Sequence, residues 1–343
     1  MRRSGSARLS VVVPFYNEGA TVDHFLDRLL PVLDGLDIES EVICVNDGST
    51  DDTLDLLVAA HRRSGRVKVI DLSRNFGQEF AMMAGLTHAS GDAVVVIDGD
   101  LQHPPEMIPK MLEKWAEGFD VIHMARESRE GPGFISGVLR RLFYLAFQSL
   151  AKVRLPAEVA GFLLLDRKVV DIVVRMPERT RFMNGIFHWV GFRQAALPYV
   201  EAPRDSGVSK WSAFKQVQYA VHGISAFSNL PLRLSGLIGA AISLAAFCYA
   251  VVRLVSAQLY GDAWPGVESI MIVVLFLGGL QLLTLGVIGV YIGRIFDEVK
   301  GRPLYVVRRV YGFDETAGLP TAAPDDEIER PAALSESIAR RAK

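Results

Sequence analysis

The sequence predicts an α/β fold: a mostly parallel, Rossmann-like sheet followed by amphipathic juxtamembrane helices and a hairpin of two transmembrane helices. Two observations support this prediction. Apolar, β-branched segments alternate with helical segments between residues 9 and 124, and this alternation is typical of a parallel sheet covered on both faces. Most of the remaining hydrophobicity is concentrated between residues 234 and 295, where two long apolar segments follow one another.

Five strands and four helices are expected in alternation in the first part of the chain. The strands are predicted over residues 9–15, 41–45, 67–72, 93–97 and 120–124, and the helices over residues 20–33, 52–63, 78–88 and 105–117. Ligands of such sheets bind beyond the carboxyl ends of the strands. The polar residues at those ends are therefore the candidates for function.

Polar clusters close the first four predicted strands. They are Pro14, Tyr16, Asn17 and Glu18 after the first strand, NDGSTDDT (46–53) after the second, LSRNFGQ (72–78) after the third, and Asp98-Gly99-Asp100 after the fourth. Each cluster alone is compatible with an ordinary turn or helix cap. Their occurrence at four successive strand ends indicates one common site.

The Asp98-Gly99-Asp100 cluster predicts a divalent metal site. Side chains two residues apart on a strand point to the same side, so both carboxylates are expected to aim at one point. Two carboxylates with few other protein ligands suit Mg²⁺ or Mn²⁺, which complete their coordination with water and phosphates. A metal held in this way can neutralise a diphosphate leaving group.

The two apolar segments predict a membrane hairpin in the inner (cytoplasmic) membrane. Each reaches the roughly 20 residues that a bilayer core requires, although a buried hairpin inside a globular domain is the alternative. The basic flanks are Arg233 before the first segment and Arg294, Lys300, Arg302, Arg308 and Arg309 after the second, whereas the intervening loop contains only acidic charges. The positive-inside rule therefore places both termini in the cytoplasm, and MRRSGSA does not resemble a signal peptide.

Composition limits the remaining classes. The formal net charge of −2 argues against nucleic acid as a partner, and the only cysteines, Cys44 and Cys248, form neither a metal cluster nor a disulfide framework. The expected domains are a cytoplasmic domain (1–210), amphipathic juxtamembrane helices (211–232), transmembrane helices (233–295), a strand segment (296–311) and a disordered tail (312–343).

Several motifs in a fixed order resemble glycosyltransferase family 2 with the GT-A fold, in the branch that glycosylates polyprenyl phosphates. The matching segments include VVVPFYNE, VNDGSTDDT, LSRNFGQEFAMMAGL, VIDGDLQHPPEMIPKMLEKW, MPERTRFMNGIFHWVGFRQ and GVSKWS, and the resemblance extends from residue 9 to about residue 307. It implies the inverting transfer of a hexosyl unit from a nucleotide sugar, with UDP-glucose the first choice, to undecaprenyl phosphate at the cytoplasmic face. A homo-oligomer, suspected to be a tetramer, would be in contact with membrane lipid.

The resemblance also implies roles for individual residues. The residues that would hold the base and ribose are Pro14, Tyr16, Asn17, Glu18 and Asp47. Arg74 would lie near the diphosphate. Asp98 and Asp100 would hold the metal at the nucleotide, and Gln102 would lie beside it. Arg126 and Arg140 would meet the lipid phosphate, and Lys210 would close over the site. Arg129 and Arg141 are near enough to compete with Arg126 and Arg140 for contact with the lipid phosphate. For all four arginines the alternative is attraction to anionic lipid headgroups.

Three positions depart from the family pattern. Asn46 and Gly161 stand where the family usually has Asp, and Leu163 stands where many members have Arg. The carboxylate missing at Gly161 is often assigned as the catalytic base, so the base lies elsewhere, is dispensable, or the acceptor differs. Two other functions stay open: transfer to another lipid or polysaccharide acceptor, and a catalytically weak nucleotide-sugar-binding membrane subunit. The GRPLYVV segment (301–307) could pair between subunits or return to its own domain.

Overall fold

The computed structural model describes residues 7–126, 159–179, 181–200, 230–260 and 267–313. In these ranges eight strands form one sheet, in the order β7-β5-β6-β4-β1-β2-β3-β8. The strands are β1 Arg8–Phe15, β2 Glu39–Asn46, β3 Val67–Leu72, β4 Ala93–Val96, β5 Val121–Arg126, β6 Val159–Asp166, β7 Gln194–Tyr199 and β8 Val307–Tyr311. The helices are α1 Gly19–Asp34, α2 Thr53–Arg63, α3 Gln78–His88, α4 Ile108–Ala116, α5 Arg167–Arg175, α6 Met183–Trp189, α7 Leu230–Tyr260 and α8 Val267–Val299.

The sheet is mostly parallel, which confirms the predicted fold class. β1 pairs in parallel with β2 and β4, β2 with β3, and β5 with β7. Two strands run the other way: β6 lies antiparallel between β4 and β5, and β8 is antiparallel to β3. All five strands and four helices expected between residues 9 and 124 are present, with α4 preceded by a turn of 3₁₀ helix at Pro105–Met107. The sequence did not predict β6 or β7.

Helices cover both faces of the sheet because successive strand residues point to opposite sides. On one face Val11 and Val13 pack with buried residues of α1, α2 and α4. On the other, Val12 packs with buried residues of α3, α5 and α6. The carboxyl ends of the strands therefore emerge from a rigid three-layer support.

The two long C-terminal helices are candidate membrane spans. α7 and α8 each contain a segment long and apolar enough to cross a bilayer, at Leu232–Tyr249 and Phe276–Val299. Of these segments, 6% and 0% are buried, so neither helix packs as a core helix of the described domain. This argues against the alternative of a buried hairpin. With 31 and 33 residues and a rise of 1.5 Å per residue, the helices are about 46 and 50 Å long.

After α8 the chain returns to its own sheet. β8 pairs with β3, and the Ser73 backbone N–H donates to the Val306 carbonyl at 2.9 Å. Of the two alternatives for this segment, the structure has the return to the same domain. The predicted juxtamembrane helices up to residue 229, and the tail from residue 314, lie outside the described residues.

Candidate active site

The loop after β1 is tied to the loop after β2. Asn17 has a left-handed backbone (φ 52°), its N–H donates to Ser49 Oγ at 3.0 Å, and its Oδ1 accepts from the Thr50 N–H at 2.8 Å. The Glu18 N–H donates to Thr53 Oγ1 at 3.0 Å. These bonds place the first two predicted clusters side by side, with Tyr16, 39% exposed, at their surface.

Asp47 connects the second cluster to the third. Its carboxylate is buried and accepts from the backbone N–H groups of Phe76 at 2.7 Å and Gly77 at 2.9 Å. Burial raises the pKa of Asp47, while these two donors and the charge of Arg74 act in the opposite direction. The Asp47 carboxylate therefore holds the β3–α3 loop, a role that the family resemblance did not imply.

Gly48 allows the close approach of that loop. It has φ 63°, and a Cβ at this position would lie 2.2 Å from the Arg74 carbonyl carbon. Only glycine fits both the conformation and the contact. Arg74 itself is exposed, with its guanidinium 4.1 Å from the centroid of the Phe76 ring.

The departure at Asn46 has a local explanation. The Asn46 amide donates to Asp71 Oδ1 at 2.7 Å, and Asn46 Oδ1 accepts from the Ser49 N–H at 3.2 Å. Asp71 is buried, and burial raises its pKa despite the Asn46 hydrogen bond and the nearby arginines of β8. An ionised Asp at position 46 could not donate to Asp71, so the amide suits this buried neighbour.

Asp98 lies between three elements. Its Oδ1 accepts from Gln78 Nε2, at the start of α3, at 2.6 Å. Its Oδ2 lies 3.8 Å from His103 Nδ1, and a Cβ on Gly161 of β6 would lie 3.3 Å from the same oxygen. The His103 ring is buried and stacks on Phe162, with ring centroids 5.5 Å apart.

Asp100 follows in a turn, which corrects the argument from strand alternation. β4 ends at Val96, so Asp98 and Asp100 lie beyond the strand and its alternation does not set their directions. Instead, Leu101 has φ 64° and the Gln102 N–H donates to Asp100 Oδ1 at 3.1 Å. Gly99 permits this turn to pack closely, because a Cβ there would lie 2.2 Å from Phe15 Cε1.

The arrangement fits a divalent metal that takes few protein ligands. In the described ranges no group of three or more His, Cys, Asp or Glu side chains could hold an ion. Asp98 Oδ2 lies against Gly161, where a Cβ would be 3.3 Å away, and the buried Nδ1 of His103 has no hydrogen-bond partner among the described residues. Mg²⁺ and Mn²⁺ suit such a site, since phosphates and water supply their other ligands.

The remaining predicted residues are placed only in part. Pro14 lies at the end of β1 opposite Val45. Arg126 ends β5, where its backbone is in register with Tyr199. Arg140 and Lys210, and the competing Arg129 and Arg141, lie outside the described residues.

Gln78 and His103 contact Asp98 but were not among the predicted site residues. Both stand inside motifs that the sequence singled out, LSRNFGQ and DLQH. The signal available in the sequence was that an amide and an imidazole group follow predicted strand ends, as the carboxylate pair does.

Comparisons with known proteins show which proteins the chain is similar to. Residues 10–173 match the family model described as glycosyl transferase family 2. An uncharacterized glycosyltransferase of Synechocystis sp. is 44% identical over 306 residues, 89% of this chain and 96% of its own. The SfII prophage-derived bactoprenol glucosyl transferase of Shigella flexneri is 37% identical over 302 residues, 88% of this chain and 98% of its own. Among solved structures, glucosyl-3-phosphoglycerate synthase from Mycobacterium tuberculosis matches with a TM-score of 0.45 and 22% identity, over 64% of this chain and 80% of its own.

Proposed function

This chain belongs to glycosyltransferase family 2, and from that premise we propose that it transfers one hexosyl unit from a nucleotide sugar to a polyprenyl phosphate, with inversion. UDP-glucose is the first choice of donor and undecaprenyl phosphate the proposed acceptor. The observation that carries the proposal is a relative named bactoprenol glucosyl transferase that matches 88% of this chain, including both long apolar helices, at 37% identity.

We propose that Asp98 and Asp100 hold Mg²⁺ or Mn²⁺ at the donor. When bound, the metal would neutralise charge on the diphosphate leaving group. Asp47 would support the loop that carries Arg74, and Arg74 would then approach the diphosphate. Pro14, Tyr16, Asn17 and Glu18 are proposed to line the nucleotide, and Gln102 to lie beside the metal pair.

The acceptor chemistry accounts for the absence of a carboxylate at position 161. A hydroxyl acceptor needs a base to remove its proton during attack. A phosphate monoester has a second pKa near 6 and is mostly dianionic at pH 7, so it attacks without a base. Arg126, Arg140 and Lys210 are proposed to position it, since basic groups bring a second phosphate to a site that already holds a diphosphate.

We propose that α7 and α8 span the inner membrane and that the sheet domain lies on the cytoplasmic side. The unburied apolar surfaces of the two helices support the membrane spans. The basic residues that flank the helices support the orientation. A lipid-linked acceptor would then meet the nucleotide sugar where the domain adjoins the membrane.

The test is transfer by the purified full-length protein. It is incubated with Mn²⁺, undecaprenyl phosphate and a panel of labelled nucleotide sugars, and the product is identified by mass. We expect one hexose on the lipid phosphate, loss of activity with chelator, and a rate that falls below about pH 6 as the acceptor is protonated. Product on undecaprenol, or binding of nucleotide sugar without any transfer, would contradict the proposal and favour the open alternatives.

The metal assignment is tested with a pair of matched variants. Asp100→Asn should reduce turnover by at least about 100-fold, the loss expected for a major electrostatic stabiliser. Asp92→Asn is the control, because Asp92 is exposed at the opposite end of β4, where it accepts from the Arg8 N–H. Full wild-type activity in excess chelator would contradict the assignment.

A further inference from the structure

We propose that Arg308, in the strand that follows α8, is a positioning residue for the loop that carries Arg74. This inference rests on the proposed function, in which Arg74 approaches the diphosphate. Arg308 Nη2 donates to the Ser73 carbonyl at 2.6 Å, and its Nη1 donates to Asp71 Oδ2 at 3.4 Å. One acceptor lies in β3 and the other in the residue before Arg74. Arg308 therefore ties β8 to the first residue of the loop.

A β-bulge directs Arg308 toward that loop. In the antiparallel pair of β3 and β8, Asp71 lies opposite Arg309. The next residue of β3, Leu72, lies opposite Val307, so Arg308 is one extra residue between two paired positions. Bulges often redirect a side chain next to an active site. Here the redirected side chain reaches the carbonyl at which the loop begins.

The start of the loop is held at both of its backbone groups. The Ser73 N–H donates to the Val306 carbonyl at 2.9 Å, and the Ser73 carbonyl accepts from Arg308. The backbone of Arg74 then lies against Gly48, where a Cβ would be 2.2 Å from the Arg74 carbonyl carbon. A rotation of the peptide between Ser73 and Arg74 would break the bond to Arg308 and disturb this close packing.

The far end of the loop is held by other groups. The N–H groups of Phe76 and Gly77 donate to the buried Asp47 carboxylate, and the Arg74 guanidinium lies over the Phe76 ring. Arg74 thus lies between two fixed points of the backbone. Arg308 supplies the side-chain part of the first point, so its loss should free the backbone that sets the direction of Arg74.

The arginine side chain suits this task. Asp71 is buried, and while its Oδ1 accepts from the Asn46 amide, its Oδ2 accepts from Arg308. A planar guanidinium has separate nitrogens for this carboxylate and for the Ser73 carbonyl, whereas a lysine has one. The buried carboxylate therefore fixes the guanidinium, which in turn fixes the carbonyl. The donor loop consequently depends on a residue that follows both long apolar helices in the sequence.

The experiment measures UDP binding, with Mn²⁺ present, by calorimetry of the purified full-length protein in detergent. Arg308→Met should lower UDP affinity about 5- to 50-fold, the range for a lost hydrogen bond from a charged group. In an Arg74→Ala background the same change should lower it by less than about twofold further, because an effect that passes through Arg74 is then already lost. Additive losses, or equal affinity in wild type and Arg308→Met, would overturn this inference alone.

Amide hydrogen exchange without UDP provides a readout that does not depend on the donor. In Arg308→Met, exchange should accelerate about tenfold in residues 73–77 and stay unchanged in β1, since the loop opens without global unfolding. Unchanged exchange in residues 73–77, or an equal acceleration throughout the sheet, would overturn the positioning role.

Arg308→Lys separates the guanidinium fork from its charge. It keeps a positive charge beside Asp71 and should fold, but one ammonium group does not replace two separate nitrogens. UDP affinity should therefore fall in this variant as well. Wild-type affinity in Arg308→Lys would show that charge alone suffices and would overturn the inference.

Arg66→Met is the matched control. Arg66 precedes β3 at its opposite end, where its Nη1 donates to Asp34 Oδ1 at 2.7 Å. Its UDP affinity, and its exchange in residues 73–77, should equal those of wild type. If Arg74→Ala binds UDP as tightly as wild type does, the role of Arg74 in the proposed function fails together with this inference.

Discussion

Replacing Glu79 with Gln should stabilise the protein at alkaline pH and leave its stability unchanged at acid pH. Burial of Glu79 raises its pKa from 4.5 to about 7, although the Met183 N–H acts in the opposite direction. The folded state therefore holds the proton more tightly than the unfolded chain. The associated stability is complete below pH 4.5 and is lost as the pH rises through 7.

The magnitude follows from the two pKa values. At 1.36 kcal/mol per pH unit, the difference between 4.5 and 7 corresponds to about 3 kcal/mol at pH 8. Glu79 is partly exposed, and water screens some of this cost, so we expect a gain of about 1–3 kcal/mol for the variant. Gln keeps the shape of the side chain and an acceptor for the Met183 N–H, while the charge is removed.

The assay is urea unfolding of wild type and variant in detergent at pH 5 and pH 8. The control is Glu113→Gln on the exposed face of α4, which should change stability by less than about 0.5 kcal/mol at either pH. A variant that is no more stable than wild type at pH 8 would refute the reasoning, because the ionised carboxylate would then carry no burial cost. A gain of equal size at both pH values would also refute it.

Asp47→Ala should destabilise the fold by about 1–3 kcal/mol in urea unfolding, since it leaves two backbone N–H groups of the β3–α3 loop without their acceptor. Gly161→Asp should change the initial rate on polyprenyl phosphate by less than about tenfold, because that acceptor needs no base; a 100-fold gain would show that a base was missing. Single cysteines, introduced in a chain lacking Cys44 and Cys248, should react with an impermeant thiol reagent in intact cells between Tyr260 and Gly266 and not in the tail. Labelling of the tail would reverse the proposed orientation.

The strands and helices of the first 124 residues could be predicted from sequence, and the antiparallel pairings of β6 and β8 could not. The strands from β1 to β4 are mainly apolar segments, and almost all of their residues are buried, as the pattern of a sheet covered on both faces predicts. β6 follows residues that resemble no element of the alternation, and its place between β4 and β5 depends on contacts that are distant in the chain. β8 follows a long helix, so its pairing with β3 also depends on distant contacts.

The position of the site could be predicted, but the task of each side chain could not. Four polar clusters at successive strand ends locate it, because parallel strands bring their carboxyl ends to one edge. The sequence does not reveal that Asp47 binds backbone N–H groups, since a buried structural carboxylate and an exposed binding carboxylate look alike in a motif. The link from Gln78 to Asp98 requires the relative placement of α3 and the β4 turn.

The three departures from the family pattern have separate physical causes. Leu163 is fully buried, in register with Val96 and His123, where an arginine would have to bury its charge, so a leucine there is a packing residue. Asn46 donates to a buried carboxylate, as an aspartate could not. Gly161 removes a carboxylate from beside Asp98, since a Cβ at this position would lie 3.3 Å from Asp98 Oδ2. Of the three, only Gly161 lies against a proposed metal ligand, and the proposed acceptor, a phosphate that is already ionised, would need no base there.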